Sequence, residues 1–231
     1  MKFSQETMHA LKNMAGINSN LVFREGHVLN TISEARNILA TVEIPEIVPC
    51  DFGIYDLHQF LSLINMFDEP DLSISSKCIN IAQGPQSVQY FTAAEAMLTS
   101  PPNKGIDVPE PGIIFELTDS NIASLRKVAA TIGVDDVVIS GNAGDDNVDI
   151  AVTALDNSTS NTYSINIPCT KMNDSFKAVY NINNFKFLPG TYQVGIASMK
   201  NRLVSIFTLL NTDAVRAKYL VALEVSSSIG E

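Results

Sequence analysis

His9, His27 and His58 are the only histidines in this 231-residue chain. No two of them have the H-x-x-x-H or H-E-x-x-H spacing that sets two metal ligands on one helix face. Hydrolysis by a metal or a nucleophilic triad needs such groups to converge, so the sequence predicts no enzyme, no metal and no cofactor. The G-x-x-x-x-G-K-[ST] phosphate loop is absent as well. Gly141-Asn142-Ala143-Gly144-Asp145-Asp146-Asn147 has the acids of a calcium loop without the D-x-D-x-D-G spacing, and reads as a hairpin turn. What remains is cationic chemistry. His9, Lys12 and Asn13 form one set and Arg126 and Lys127 another, with His58, Ser62 and Asn65, and Asn184 and Lys186, as smaller companions. Small polar and cationic sets without base-reading aromatics suit loose contact with phosphates. The same composition suits an ordinary solvated helix face, and the residues alone leave both open.

The elements that must present these residues follow from periodicity. A helix over Ser4 to Ala15 puts Met8, Leu11 and Ala15 on one apolar stripe and turns His9 and Asn13 away from it. A second, from Asp56 to about Met66, buries Leu57, Phe60, Leu61 and Ile64. A third, Ser120 to Ile132 behind an N-cap at Thr118, buries Ile122, Leu125, Ala129 and Ile132 and leaves Arg126 and Lys127 outside. A fourth, short helix opens at Asn181 and must stop at Pro189-Gly190. Alternating segments predict strands at Asn20 to Phe23, Val28 to Asn30, Asn37 to Ile44, Asp71 to Ser75, Cys78 to Ala82 and Ser87 to Thr92. The second half repeats them at Ile113 to Leu117, Asp136 to Ser140, Val148 to Leu155, Tyr163 to Ile167, Tyr192 to Ala197, Val204 to Leu210 and Tyr219 to Val225.

This order occurs twice because the chain contains a repeat. Ile54-Tyr55-Asp56-Leu57-His58-Gln59-Phe60 returns as Val179-Tyr180-Asn181-Ile182-Asn183-Asn184-Phe185, 125 residues later at every matching position. Each copy ends a strand and places Asp or Asn as the N-cap of a helix, so the pair signals a duplicated unit. Between the copies, residues 100–112 hold four prolines and two glycines and form an extended connector. Two domains are expected, 1–105 and 106–231.

Composition limits the function classes. There are 15 basic and 25 acidic residues, a formal charge of −10, which argues against gripping nucleic acid through the overall field. The acids gather in connections and at domain peripheries, at Asp68-Glu69, Asp71, Asp107, Glu110, Asp135-Asp136, Asp145-Asp146 and Asp149, so a surface with segregated charge is expected. Cys50, Cys78 and Cys169 read as buried free thiols. No apolar run approaches the roughly 20 residues of a membrane span, and the polar N-terminus lacks the core of a signal peptide. A soluble, intracellular protein is expected.

Taken together, the order and spacing of several segments resemble the sliding DNA clamps, in detail those of T-even-type tailed bacteriophages. The segments are Met1-Lys2-Phe3-Ser4, Leu11-Lys12-Asn13, Ile17-Asn18-Ser19, Ile54-Tyr55-Asp56-Leu57, Phe60-Leu61, Pro102-Asn103-Lys104, Leu188-Pro189-Gly190-Thr191-Tyr192 and Tyr219-Leu220-Val221-Ala222-Leu223-Glu224. The resemblance implies an α+β clamp fold: two similar domains, each with two helices backed by antiparallel sheets, assembling as a homotrimeric ring. It further implies that His9, Lys12, Asn13, His58, Asn65, Arg126, Lys127 and Lys186 face duplex DNA. An apolar pocket for partner peptides would involve Ile106, Val108, Tyr219 and Val221, residues that equally suit core and connector. Subunits would join through Ser87, Gln89 and Phe91 on one copy and Tyr163, Ile165 and Ile167 on the next. Implied partners are the phage DNA polymerase, an ATP-driven clamp loader and late-transcription factors, in the cytoplasm of an infected bacterium. The residues alone leave two alternatives, an acidic β-rich tail or capsid oligomer and a hydrolase without a visible motif.

Overall fold

The computed structural model describes residues 1–102, 106–157, 159–199, 202–210 and 215–230. Asn103 and Lys104 of the connector therefore lie outside the described residues. The chain divides into two compact units, Met1–Gly105 with Thr212–Lys218, and Ile106–Asn211 with Tyr219–Glu231. A single cut after residue 105 assigns Thr212–Lys218 to the other unit.

In the first unit, α1 (Gln5–Ile17) begins where the Ser4 side chain accepts the Thr7 N–H. Its buried residues are Thr7, Ala10, Leu11, Met14, Ala15 and Ile17, so the stripe lies slightly round the helix from the expected one and Met8 is only half-buried. The reason is the short side chains of Ala10 and Ala15, which let the helix sit close on β3 (Ile38–Val48) and α2 (Leu57–Ile64). Asn18 ends α1 and is buried, its amide donating to the carbonyls of Ile32 at 2.8 Å and Thr99 at 3.2 Å. β1 (Leu21–Phe23) pairs with β4 (Phe52–Ile54), stacking Phe23 on Phe52 at 4.4 Å. β2 (Gly26–Ile32) pairs with β3. β3 runs on through Pro45, which a break in register between Gly26 and Val28 of its partner accommodates, since proline cannot donate to a ladder. A separate sheet has the order β5-β6-β7 (Asp71–Ile74, Cys78–Gln83, Gln86–Phe91).

In the second unit, β8 (Ile113–Leu117) leads into α3 (Asp119–Ile132). Here Thr118 and Asn121 form a reciprocal capping box, and Gly133 closes the helix at φ 71°, a conformation that costs glycine least. The strands β9 (Asp136–Gly141), β10 (Asn147–Thr153), β11 (Tyr163–Met172), β12 (Phe176–Asn181), β13 (Tyr192–Met199), β14 (Arg202–Leu209), the part of β15 (Arg216–Ala222) from Tyr219 on, and β16 (Ser228–Ile229) complete it. Their order in this unit is β16-β12-β9-β10-β11-β8-β13-β14, followed by the Tyr219–Ala222 part of β15. β9 and β10 pair as the expected hairpin around Gly144 (φ 83°).

The fold is thus α+β with antiparallel sheets, and it corrects two expectations about the repeat. Asn181 starts only a 3-10 turn, Ile182–Asn184, in place of a fourth helix. Its side chain does accept the Asn183 N–H at 2.9 Å, as a cap should. But Phe185 and Phe187 are buried with exposed Lys186 between them, the alternation of extended chain, and Pro189 disfavours the α conformation just before it. The two tyrosines of the repeat also part company, Tyr55 being 62% exposed and Tyr180 0%. Leu57 and Phe60, like Ile182 and Phe185, are buried, so the anchoring positions are shared while the strand end is not. The three cysteines are free and half-buried, not fully buried.

Leu11 and Leu125 have no accessible surface. Leu11→Ala and Leu125→Ala should each destabilise the protein by about 2–5 kcal/mol, read as a shifted denaturation midpoint. A subtler device holds the start of α1, where the Glu46 carboxylate accepts from the Ser4 N–H and the Thr7 hydroxyl. Burial pushes Glu46 up, but the hydrogen bonds from Thr7 and Ser4 outweigh it and leave the carboxyl below its ordinary value. A depressed carboxylate stabilises above its unfolded value, about 4.3, and loses that contribution as pH falls through the folded value. The stability gap between wild type and Glu46→Gln should therefore be full at neutral pH and close below about pH 4.

Candidate functional site

Two surface grooves hold the cationic residues, one in each unit. In the first, α1 contributes Met8, His9 and Lys12 to a groove of about 280 Å³ whose other wall is Ile64 and Asn65 at the end of α2, followed by Phe67 to Pro70. His9 and Lys12 are exposed because Ala10, Leu11 and Met14 take the buried stripe, and Asn13 is half-buried. Asn65 is the C-cap of α2, its N–H returning to the Leu61 carbonyl, and its exposed side chain lies in the groove. His58, in the first turn of α2, is exposed but does not line it.

In the second unit the corresponding groove measures about 420 Å³ and is lined by Arg126, Ala129 and Ala130 of α3, by Asp135, and by Ile182, Asn183, Phe185 and Lys186. Arg126 and Lys186, 60 positions apart, thus share one cleft. Burial lowers the Arg126 guanidinium from its ordinary value while the charge of Asp119 opposes the shift, so it stays cationic at neutral pH. Lys127 is exposed on the next position of the helix. Among the described residues Lys12, Arg126 and Lys127 make no ion pair within 4 Å. Exposed cations such as Lys12 and Lys127 can meet phosphate oxygens with little desolvation cost, each contact being weak and screened by salt.

Lys186 is aimed by aromatic packing. Phe187 lies 4.5 Å from Phe207, 5.1 Å from Tyr219 and 5.4 Å from Tyr192, centroid to centroid, and Phe185 is 5.5 Å from Tyr180. The Leu188 N–H donates to the Tyr219 hydroxyl at 3.1 Å, and the Tyr192 hydroxyl donates to the Leu188 carbonyl at 2.7 Å. With Phe185 and Phe187 fixed inward on extended chain, the residue between them must point out. The Asp119 carboxylate accepts from Gly190 N–H at 3.1 Å and ties the end of this segment to the first turn of α3.

The structure distributes the remaining site residues unevenly. Ser87, Gln89 and Phe91 share the exposed face of β7, the last strand of its sheet, with Phe91 72% exposed. Tyr163 and Ile165 are half-buried on β11 and Ile167 is buried. Along β11, Tyr163 to Pro168 pair with β10, whereas pairing with β8 is confined to Cys169 to Met172. Of the expected pocket residues, Ile106 is exposed and Val108 half-buried, but Tyr219 and Val221 have no accessible surface. Tyr219 belongs to the aromatic core, where burial pushes its phenol up to about 12.

Sequence reasoning missed the acids. Asp68 and Glu69 line the first groove and Asp135 the second, so these carboxylates sit beside the cations and the expected segregation does not hold. No group of three or more His, Cys, Asp or Glu side chains placed to hold a metal ion occurs among the described residues. Lys171 was also missed. It donates to the Glu110 carboxylate and the Pro111 carbonyl, both at 2.9 Å, and pins the end of the connector to β11. An isolated Lys in a strand gave no signal of this, because its partners lie 60 residues back in a proline-rich stretch.

Comparison with known proteins covers both units. Residues 4–97 match the family described as DNA polymerase processivity factor, and residues 114–225 the family described as gp45 sliding clamp, C terminal. The sliding clamp of Vibrio phage KVP40 is 26% identical over 200 residues, 85% of this chain and 90% of that protein. The sliding clamp of Escherichia phage RB69 is 26% identical over 99% of both chains. Among solved structures, the PCNA of A. fulgidus, determined with the C-terminal region of FEN-1, shares the fold, with a TM-score of 0.69 at 11% identity over 99% of this chain and all of that one.

Removing the Tyr219 hydroxyl leaves the buried Leu188 N–H without its acceptor. Tyr219→Phe should cost about 1–3 kcal/mol and selectively speed amide exchange at Leu188 and its neighbours. Unchanged exchange there would show that the hydroxyl does not hold the segment bearing Lys186.

Proposed function

The chain belongs to the sliding-clamp family of DNA polymerase processivity factors, and on that basis we propose that it forms a homotrimeric ring around duplex DNA and tethers a phage DNA polymerase during replication. The observation that supports this reading is the pair of grooves that bring Lys12, and Arg126 with Lys186, beside the first helix of each unit, on a chain whose formal charge is −10. A protein held to DNA by topology needs no strong attraction to it. Weak, salt-screened contacts from Lys12, Arg126, Lys127 and Lys186 are the kind that permit sliding. Three copies carry a charge of about −30, which would repel DNA from surfaces that lack these cations.

The same reading assigns roles to the other surfaces. The exposed edge of β7 with Ser87, Gln89 and Phe91 would add to the open stretch of β11 at Tyr163 and Ile165 of the next copy, joining subunits by strand pairing. Ile106, with Val108 beside it, would receive an apolar partner peptide from the polymerase or from an ATP-driven clamp loader. Tyr219 and Val221, being inaccessible, would support that surface without touching a partner. Coupling of replication to late transcription, inside an infected bacterium, would use the same loaded ring. The protein is read as a scaffold with no reaction of its own.

Retention on DNA tests the topology. Loaded with its cognate loader, the protein should persist on circular or end-blocked templates and run off free linear ends; equal retention on both would overturn the ring. The triple variant Lys12→Ala, Arg126→Ala, Lys127→Ala should impair loading or sliding and leave the trimer intact by sedimentation. If it dissociates to monomers, those residues serve assembly and the assignment of the faces is wrong.

A further inference from the structure

In each groove one carboxylate has no evident structural duty. Asp135, in the loop between α3 and β9, lines the cleft with Arg126 and Lys186, and only its backbone carbonyl is used, accepting from the Ile182 N–H at 2.8 Å. Asp68 lines the cleft with His9 and Lys12, and again only its backbone is engaged, by Gln83. Neither side chain makes a hydrogen bond or ion pair among the described residues, whereas the adjacent acids do: Glu69 meets Lys2 at 3.8 Å, and Asp136 accepts from the Leu155 N–H. Both are exposed, so nothing in the packing demands an acid. A carboxylate that the fold does not use, placed in a cleft with Arg126 and Lys186 or, beside the Lys2-paired Glu69, with Lys12, acts on whatever those cations bind.

We propose that Asp68 and Asp135 are affinity-limiting residues, counter-charges that compete with DNA phosphates for the cations of their grooves and keep each contact brief. The proposal rests on the reading of these grooves as the DNA-facing surface. A phosphate approaching Arg126 or Lys12 meets the attraction of the cation and the repulsion of an acid that lines the same groove. The two largely cancel at long range and leave only a short-lived close contact. The arrangement occurs in both units although the two acids stand at unrelated positions of the repeat, Asp68 after α2 and Asp135 after α3. Two like charges separated by about 7 Å of water repel enough to change an affinity about threefold.

Binding of the full-length protein to a short duplex at low salt, by fluorescence anisotropy, tests this. Asp68→Asn and Asp135→Asn should each tighten binding about threefold, and the double variant should slow diffusion of the loaded protein on a closed circle. Asp146→Asn, in the exposed turn at the opposite end of β9 from Asp135, changes the net charge equally and should have much less effect. No gain from the two groove variants, or the same gain from all three, would overturn the proposal. If Lys12→Ala and Arg126→Ala also leave binding unchanged, the failure lies instead in the DNA-facing assignment of the grooves. Weaker binding by the lysine and arginine variants with no gain from the aspartate variants would refute the counter-charge role alone.

Discussion

The surface chemistry of this protein depends on the burial of one narrow apolar stripe per helix. α1 can place Lys12 and His9 outside only because Ala10, Leu11 and Met14 are inside, and α3 presents Arg126 and Lys127 because Ile122, Leu125 and Ala129 are held. Each position turns a helix by about 100°, so a slip of one residue would carry a charged group into the core, a cost that burial of the stripe prevents. The N-caps fix the register from the other end. Ser4, Asp56 and Thr118 each accept a backbone N–H of the first turn, and Glu46 adds a second clamp at the start of α1.

Among the described residues, the second unit obtains a similar surface with one α-helix fewer. A 3-10 turn and extended chain replace the second helix, and the aromatic cluster around Phe187 does the positioning that helical periodicity does elsewhere. The backbone of Leu188, held between the hydroxyls of Tyr192 and Tyr219, fixes the segment in the direction that leaves Lys186 outside. Duplication has thus kept the anchoring positions, Leu57 and Phe60 against Ile182 and Phe185, and let the secondary structure between them change.

Charge in the grooves is balanced, not uniformly positive. That balance fits the proposed retention by ring closure, under which tight binding would hinder movement. The net charge, which by itself argues against nucleic acid, and the local cations, which argue for it, stop conflicting once acids and bases are seen to share the same clefts.

From the sequence alone, the three α-helices, their caps at Ser4, Asp56 and Thr118, the exposed cations and the duplicated plan were legible, because periodicity and capping are local and depend on a few neighbouring residues. The resemblance of ordered motifs to the sliding clamps also lay in the sequence. Tertiary structure decided the rest. Arg126 and Lys186 share a cleft, Tyr219 and Val221 are core residues, Asn181 launches no helix, and Asp68 and Asp135 stand beside cations instead of apart from them. Each of these outcomes turns on residues far apart in the chain and on side chains competing for the same interior, which no local pattern records.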